Sequence, residues 1–196
     1  MKNILVLLFL SISMSVIASV TVPGKIIYSK DTVDVEFKIG ITLVTRFLRF
    51  DKIQKEIYFR KVGDKEFSVL LPEDALEYHF TFERQLIEMV SLELKDSGEK
   101  VFLRNLISGK KMSFFKYYKG RFYYMEDGNG NLKNEWPVFK KQSELSCVRT
   151  DMYQYNETIR TYFSDCKEVL RIFEKQNYQW GLAIDAVKIY NRECGK

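Results

Sequence analysis

The stretch VFLRNLISGKKMSFFKYYKGRFYYM, residues 101–125, decides the fold. Its apolar and aromatic segments are short and are broken at Ser108–Lys110 and at Lys119–Gly120, polar, glycine-containing sites of the kind that reverse a chain. Runs of Val, Phe and Tyr between such breaks predict antiparallel strands, because flat and branched side chains pack well on a pleated surface. The pattern continues through EDGNGN (126–131) to LKNEW (132–136), so the region reads as a β-meander. If Lys119 and Gly120 form a two-residue hairpin loop, Tyr118 stands opposite Arg121 and alternation assigns the faces. Phe115, Tyr117, Phe122 and Tyr124 then share one face, which is expected to be buried. Phe114, Lys116, Tyr118, Arg121, Tyr123 and Met125 share the other.

Upstream, Val33, Val35, Phe37 and Ile39 alternate with Asp34, Glu36 and Lys38, the period of a half-buried strand. Ile26–Tyr28 precede it across a turn at Ser29–Asp31, and further strands are expected around 42–50, 56–62 and 66–71. The segment PEDALEY (72–78) is compatible with a helix start, whereas Val90, Leu92 and Leu94 alternate as a strand. Past Cys147 the period changes. Met152, Tyr155, Ile159 and Phe163 recur at helical spacing behind Asp151, a possible N-cap. Asp165 and Glu168 resemble a capping box opening a second helix through Phe173 to about Asn177, and Ala183, Val187 and Tyr190 stripe a third. The fold class is therefore α+β: an antiparallel β-meander, a curled sheet or open barrel over about 24–140, followed by two or three C-terminal helices over about 151–193.

The chain opens MKNILVLLFLSISMSVIAS, with a cation at Lys2, an apolar run from Ile4 to Ile17 and small residues before a possible cut after Ala18. That order predicts a signal peptide over 1–18 and one exported domain over 19–196. The run is short and serine-interrupted for a bilayer span of about 20 residues, so no transmembrane span is expected after cleavage. No cysteine lies near the cut, which argues against a lipoprotein, and the expected location is secreted or periplasmic. The net charge of +5 falls to +4 without Lys2, too mild to indicate nucleic-acid binding.

A cysteine at a helix N-terminus has a lowered pKa, which makes Cys166 a candidate nucleophile. The single histidine, His79, lies in a different segment with no motif to pair the two, and with no ligand-spaced partner it reads as a packed or surface residue. A structural bridge accounts for Cys166 better. Two helices of similar length joined by a short turn return the end of the last, Cys194, beside the start of the other, Cys166. In an oxidising location the pair is expected to close as a disulfide, and a loop of about 29 residues would gain roughly 3–4 kcal/mol. Cys147 is left as a free thiol, either a small buried hydrophobe or half of an intermolecular bridge.

YFSDC (162–166), the terminal YNREC (190–194), FLRNLISGK (102–110) and GKIIYSKDTVDVEFK (24–38) together resemble a family of short, secreted, uncharacterised proteins from Bacteroidota bacteria. The resemblance implies an envelope or secreted location and a paired Cys166 and Cys194. It implies no activity, cofactor or catalytic residue, and Cys147 falls outside its pattern.

The remaining constellations have ordinary readings. In EDGNGN, the positions where a calcium loop needs Gly and Glu hold Leu132 and Val138, so a hairpin turn suffices. No catalytic residue, cofactor or metal ligand is assigned. Lys116, Tyr118, Arg121 and Tyr123 form the candidate ligand-binding set, a cationic, aromatic platform for an anionic glycan or lipid headgroup. The competing and preferred reading is a solvated face on which cations lie across tyrosine rings. The functional expectation is an exported, non-enzymatic binding or interaction module of the bacterial envelope, its partner an unidentified envelope component or protein. The alternative is an envelope polysaccharide or peptidoglycan hydrolase using carboxylates.

Overall fold

The computed structural model describes residues 17–42, 48–119, 135–150, 155–173 and 180–194. Within them lies one antiparallel sheet of ten strands, not closed on itself, followed by helices, as the α+β reading expects. The segments 1–16 and 120–134, which carry most of the expected signal peptide and the expected strand Arg121–Met125, lie outside the described residues.

The long hairpin β1 (Ile17–Ile27) and β2 (Thr32–Thr42) turns at Ser29–Lys30, where the sequence places the break. Its inner side carries Val35, Phe37 and Ile39, each at most 1% exposed, while Asp34 and Lys38 face solvent. This is the period-two pattern expressed as burial. β3 (Ile57–Lys61) and β4 (Ser68–Leu70) extend one edge, and β5 (Glu77–Phe82) joins the other side of β1. Residues 72–74 form a turn rather than a helix. The sheet then runs in sequence through β6 (Gln85–Glu93), β7 (Lys100–Ile107), β8 (Met112–Tyr118), β9 (Glu135–Lys141) and the two-residue β10 (Val148–Arg149).

The segment expected as a strand over 42–50 ends instead in a four-residue helix, α1 (Phe50–Ile53), laid into the concave side of the sheet. Its contacts explain why. Tyr78 Oη donates to Ile53 O (2.7 Å), Phe102 N to Gln54 O (2.8 Å), and Phe50 stacks on Tyr118 with ring centroids 4.5 Å apart. Gln54, 1% exposed, donates through Nε2 to Tyr118 O (2.7 Å) and accepts from Tyr118 N at Oε1 (3.0 Å). The side chain thereby pairs with the end of β8 as a neighbouring strand would, and a buried amide keeps its partners.

Two further cores complete the packing. α2 (Tyr155–Tyr162), α3 (Lys167–Phe173) and α4 (Trp180–Glu193) bury Ile159, Phe163, Val169, Ala183, Ala186 and Val187 against Met112, Phe114 and Phe139. On the opposite face, Val101, Leu103, Phe115, Tyr117, Val138 and Cys147 form the third cluster. A bridge between Leu94 and Cys147 brings the start of β10 back against the end of β6, so this half of the sheet curls about that cluster.

β8 consequently differs from its expected pairing. Tyr118 stands opposite Glu135 of β9 and β7 occupies the other edge of β8, while Arg121 lies outside the described residues. Both faces of β8 are covered: Phe115 and Tyr117 are buried as expected, and so are Phe114 and Tyr118.

Gly24 is required by close approach. A Cβ there would lie 2.2 Å from the His79 carbonyl oxygen and 2.6 Å from the Phe37 ring. Gly24→Ala is therefore expected to lower stability by about 1–3 kcal/mol through strand displacement. Urea unfolding should show a lower midpoint at an unchanged slope.

Candidate functional site

Of the sequence-derived platform, Tyr118 and Lys116 are covered rather than solvated. Tyr118 is 2% exposed, and its hydroxyl accepts a bond from Arg104 Nη1 (3.2 Å). Lys116 is half-buried and paired with Glu135 (2.5 Å). Burial pushes the Lys116 ammonium below its ordinary pKa, with the Glu135 charge pulling the other way. Arg121 and Tyr123 lie outside the described residues. Cations lie across rings on both faces of the sheet: Lys116 Nζ is 5.9 Å from the Tyr118 centroid, and on the other face the Arg149 guanidinium sits 4.6 Å from the Tyr117 centroid and 4.9 Å from Trp136, with Lys119 Nζ 4.3 Å from Trp136. Arg149 is also held by Asp96 (2.6 Å), so these cations cover their own aromatic rings. His79 sits half-buried on β5 beside Glu77 (2.8 Å).

The cysteines fall as the helical hairpin reading requires. Cys166 and Cys194 are joined as a disulfide, with Cα atoms 5.6 Å apart, at the start of α3 and the end of α4. Cys166 sits just before the helix and its carbonyl accepts from Leu170 N (3.2 Å), placing it at the cap rather than inside the first turn. Cys147 is a buried free cysteine whose Sγ contacts Glu93 O (3.2 Å). Burial pushes its thiol pKa up to about 12, the state of an inert packed thiol.

Around the disulfide opens a cleft of about 700 Å³, within the range of small-ligand sites. The β7–β8 turn contributes Lys110 and Lys111, and the end of β9 with the segment after it contributes Lys141 to Glu144. The α2–α3 junction and α3 add Asp165 and Glu168, and the end of α4 adds Tyr190, Glu193 and Cys194. Residues of FLRNLISGK (102–110), YFSDC (162–166) and YNREC (190–194) meet here. Tyr190 Oη donates to Asp165 Oδ2 (2.6 Å) and Lys141 Nζ to Asp165 Oδ1 (3.0 Å). Lys141 Nζ lies 4.8 Å from the Tyr162 centroid and 5.4 Å from Tyr190. Tyr162 Oη accepts from Lys141 N (2.8 Å) and donates to Glu144 Oε2 (3.1 Å).

Asn191 locks the wall formed by the β7–β8 turn. Its Oδ1 accepts from Lys111 N (2.9 Å) and Met112 N (3.1 Å), and its Nδ2 donates to Met112 O (2.8 Å). A Cβ on Gly109 would lie 2.3 Å from that Nδ2, so glycine is what lets the clamp close. Asp165 and Glu168 depart from the expected capping box: Asp165 serves Tyr190 and Lys141, and Glu168 Oε2 lies 3.6 Å from Cys194 Sγ and 4.0 Å from Cys166 Sγ. The signal for this cleft was present in YFSDC and YNREC, whose polar residues recur beside the paired cysteines, but their partners on the β-turns come from distant sequence.

No family model matches the chain, and no match was found among curated proteins or solved structures.

Burial works to raise the Asp165 carboxyl, but hydrogen bonds from Tyr190 and Lys141 and the Lys141 charge outweigh it and hold the group below the usual carboxylate range. A depressed folded-state pKa contributes stability above the unfolded value and loses it as pH falls through the folded value. Tyr190→Phe removes one of the lowering bonds, so acid unfolding is expected to begin at higher pH than in wild type. A pH series of thermal melts checks this, and coincident curves would contradict it. A second expectation concerns Cys147: iodoacetamide should leave it unlabelled in the native state at pH 8 and modify it fully in denaturant, as read by intact mass.

Proposed function

We propose that the chain is an exported, non-enzymatic binding module of the bacterial envelope, with the cleft around the Cys166–Cys194 bridge as its recognition surface. The observation that carries this reading is the fixed polar lining. Asp165, Lys141, Tyr162 and Tyr190 hold one another in place, and Asn191 ties the opposing turn to α4, so donors and acceptors are positioned before any ligand arrives. Preorganisation of this kind lowers the ordering cost of binding. Lys110 is exposed and has no ion pair among the described residues, leaving a cation at the cleft for an anionic glycan or lipid headgroup. The resemblance to secreted Bacteroidota proteins and the signal-like first 18 residues support the export part. No helix among the described residues is long and apolar enough to cross a membrane.

A hydrolase using this cleft would need one carboxyl kept protonated near neutral pH to act as the acid. Asp165 is shifted in the opposite direction, toward the permanently charged form suited to accepting hydrogen bonds.

Co-sedimentation of the purified mature chain with Gram-negative sacculi tests the proposal. Retention is expected, weakening with added salt and falling several-fold in Lys110→Glu/Lys111→Glu at unchanged melting temperature. Retention indifferent to that double variant would overturn the cleft assignment. Release of soluble sugar or peptide, lost in Glu144→Gln, would replace the binding module with the hydrolase.

A further inference from the structure

Three potential ligand atoms converge where α3 begins and α4 ends: Sγ of Cys166, Sγ of Cys194 and Oε2 of Glu168. The carboxylate oxygen lies 4.0 and 3.6 Å from the two sulfurs. In the disulfide neither sulfur carries a proton, so these contacts supply Glu168 with no hydrogen bond. Among the described residues no Lys or Arg forms an ion pair with it. Glu168 stands in the first turn of α3, open to the cleft, with its carboxylate oxygen beside both sulfurs.

In the reduced state this convergence matches a metal-ligand set. A zinc-class ion bonds thiolate sulfur at about 2.3 Å and carboxylate oxygen at about 2.0–2.2 Å in a tetrahedron, which sets the S···O separation near 3.5 Å. Glu168 Oε2 stands at nearly that separation from Cys194 and slightly beyond it from Cys166. Only the sulfurs must move, parting to the roughly 3.7 Å that two thiolates span across one ion. Both Glu168 and Cys194 line the cleft, so the fourth position faces open space where water or a ligand atom can enter. Two thiolates, a carboxylate and a divalent ion carry one net negative charge, and Lys111, whose Nζ donates to the Cys194 carbonyl, stands beside them.

We infer that, once its disulfide is reduced, the chain binds one thiophilic divalent cation of the zinc class through Cys166, Cys194 and Glu168. The disulfide takes two electrons and two protons from a dithiol reductant, which itself becomes a disulfide. The ion then displaces the two thiol protons to bulk water. Metal and disulfide are thus alternative closures of the α3–α4 joint, and the inference stands independently of the envelope-binding reading.

The test titrates zinc, then cobalt(II), into the full mature chain under anaerobic conditions, oxidised or reduced with a phosphine. Native mass spectrometry gives stoichiometry, cobalt absorption reports thiolate ligation, and near-UV circular dichroism reports the fold. The reduced chain is expected to take one ion and the oxidised chain none. Glu168→Gln should weaken binding at least about tenfold, with ligation still visible, and Cys147→Ser should leave it unchanged. If reduction alone unfolds the chain, zinc is expected to restore the near-UV signal. The inference is overturned if the reduced chain takes up no ion, if zinc fails to restore an unfolded reduced chain, if uptake survives Cys166→Ser/Cys194→Ser, or if it depends on Cys147.

Discussion

The fold turns on one buried amide. Gln54 bonds both backbone groups of Tyr118, and its own carbonyl accepts from Phe102 N, so a single residue after α1 ties β7 and β8 to the concave side of the sheet. An unpaired amide at 1% exposure would be costly, and four strands' worth of aromatic side chains depend on the short helix that positions it. Tyr78, Phe102, Phe50 and Tyr118 pack around this plug, and Phe37 packs in turn against Tyr78 at 5.2 Å between centroids.

The packing of this segment also decides the fate of the charges. Lys116 and Arg104 project to the filled side, so each is used internally, one against Glu135 and the other against Tyr118 and the Phe50 ring. A half-buried ammonium stays charged at a desolvation cost, and its acid partner offsets part of it. On the far side, Arg149 and Lys119 lie over Tyr117 and Trp136 and shield an aromatic edge that strand alternation alone would leave wet.

At the other end, the disulfide does more than close a loop. Placing Cys166 beside Cys194 brings Asp165 to Tyr190 and Lys141, and sets Glu168 against the sulfurs. The helical hairpin, the β7–β8 turn and the chain after β9 therefore share one polar seam, clamped by Asn191 on one side and by the Tyr162 hydroxyl on the other. A cleft assembled from elements this far apart in sequence is rigid only while all three remain docked.

Much of this was legible in the residues. Period-two alternation at Val33–Ile39, the strand composition of Met112–Tyr118, the helical spacing after Cys147 and the pairing of Cys166 with Cys194 all follow from local geometry: a pleat shows alternate faces, and a short antiparallel hairpin returns its ends together. Other features were not legible. Tyr118 and Lys116 carry the composition of a surface platform, and nothing local says that α1 and the helices will cover that side. The segment read as a strand over 42–50 ends in a short helix whose backbone finds its partners in Tyr78 and Phe102. Asp165 and Glu168 match a capping pattern, but Lys141 of β9 and Tyr190 of α4 reached Asp165 instead. The sequence by itself determined the order of strands and helices and the covalent joint, because these rest on contacts between near neighbours. Which faces meet water, and which charges share a cleft, only the tertiary structure decided, because burial is a property of the assembled chain and no residue carries its distant partner in its own neighbourhood.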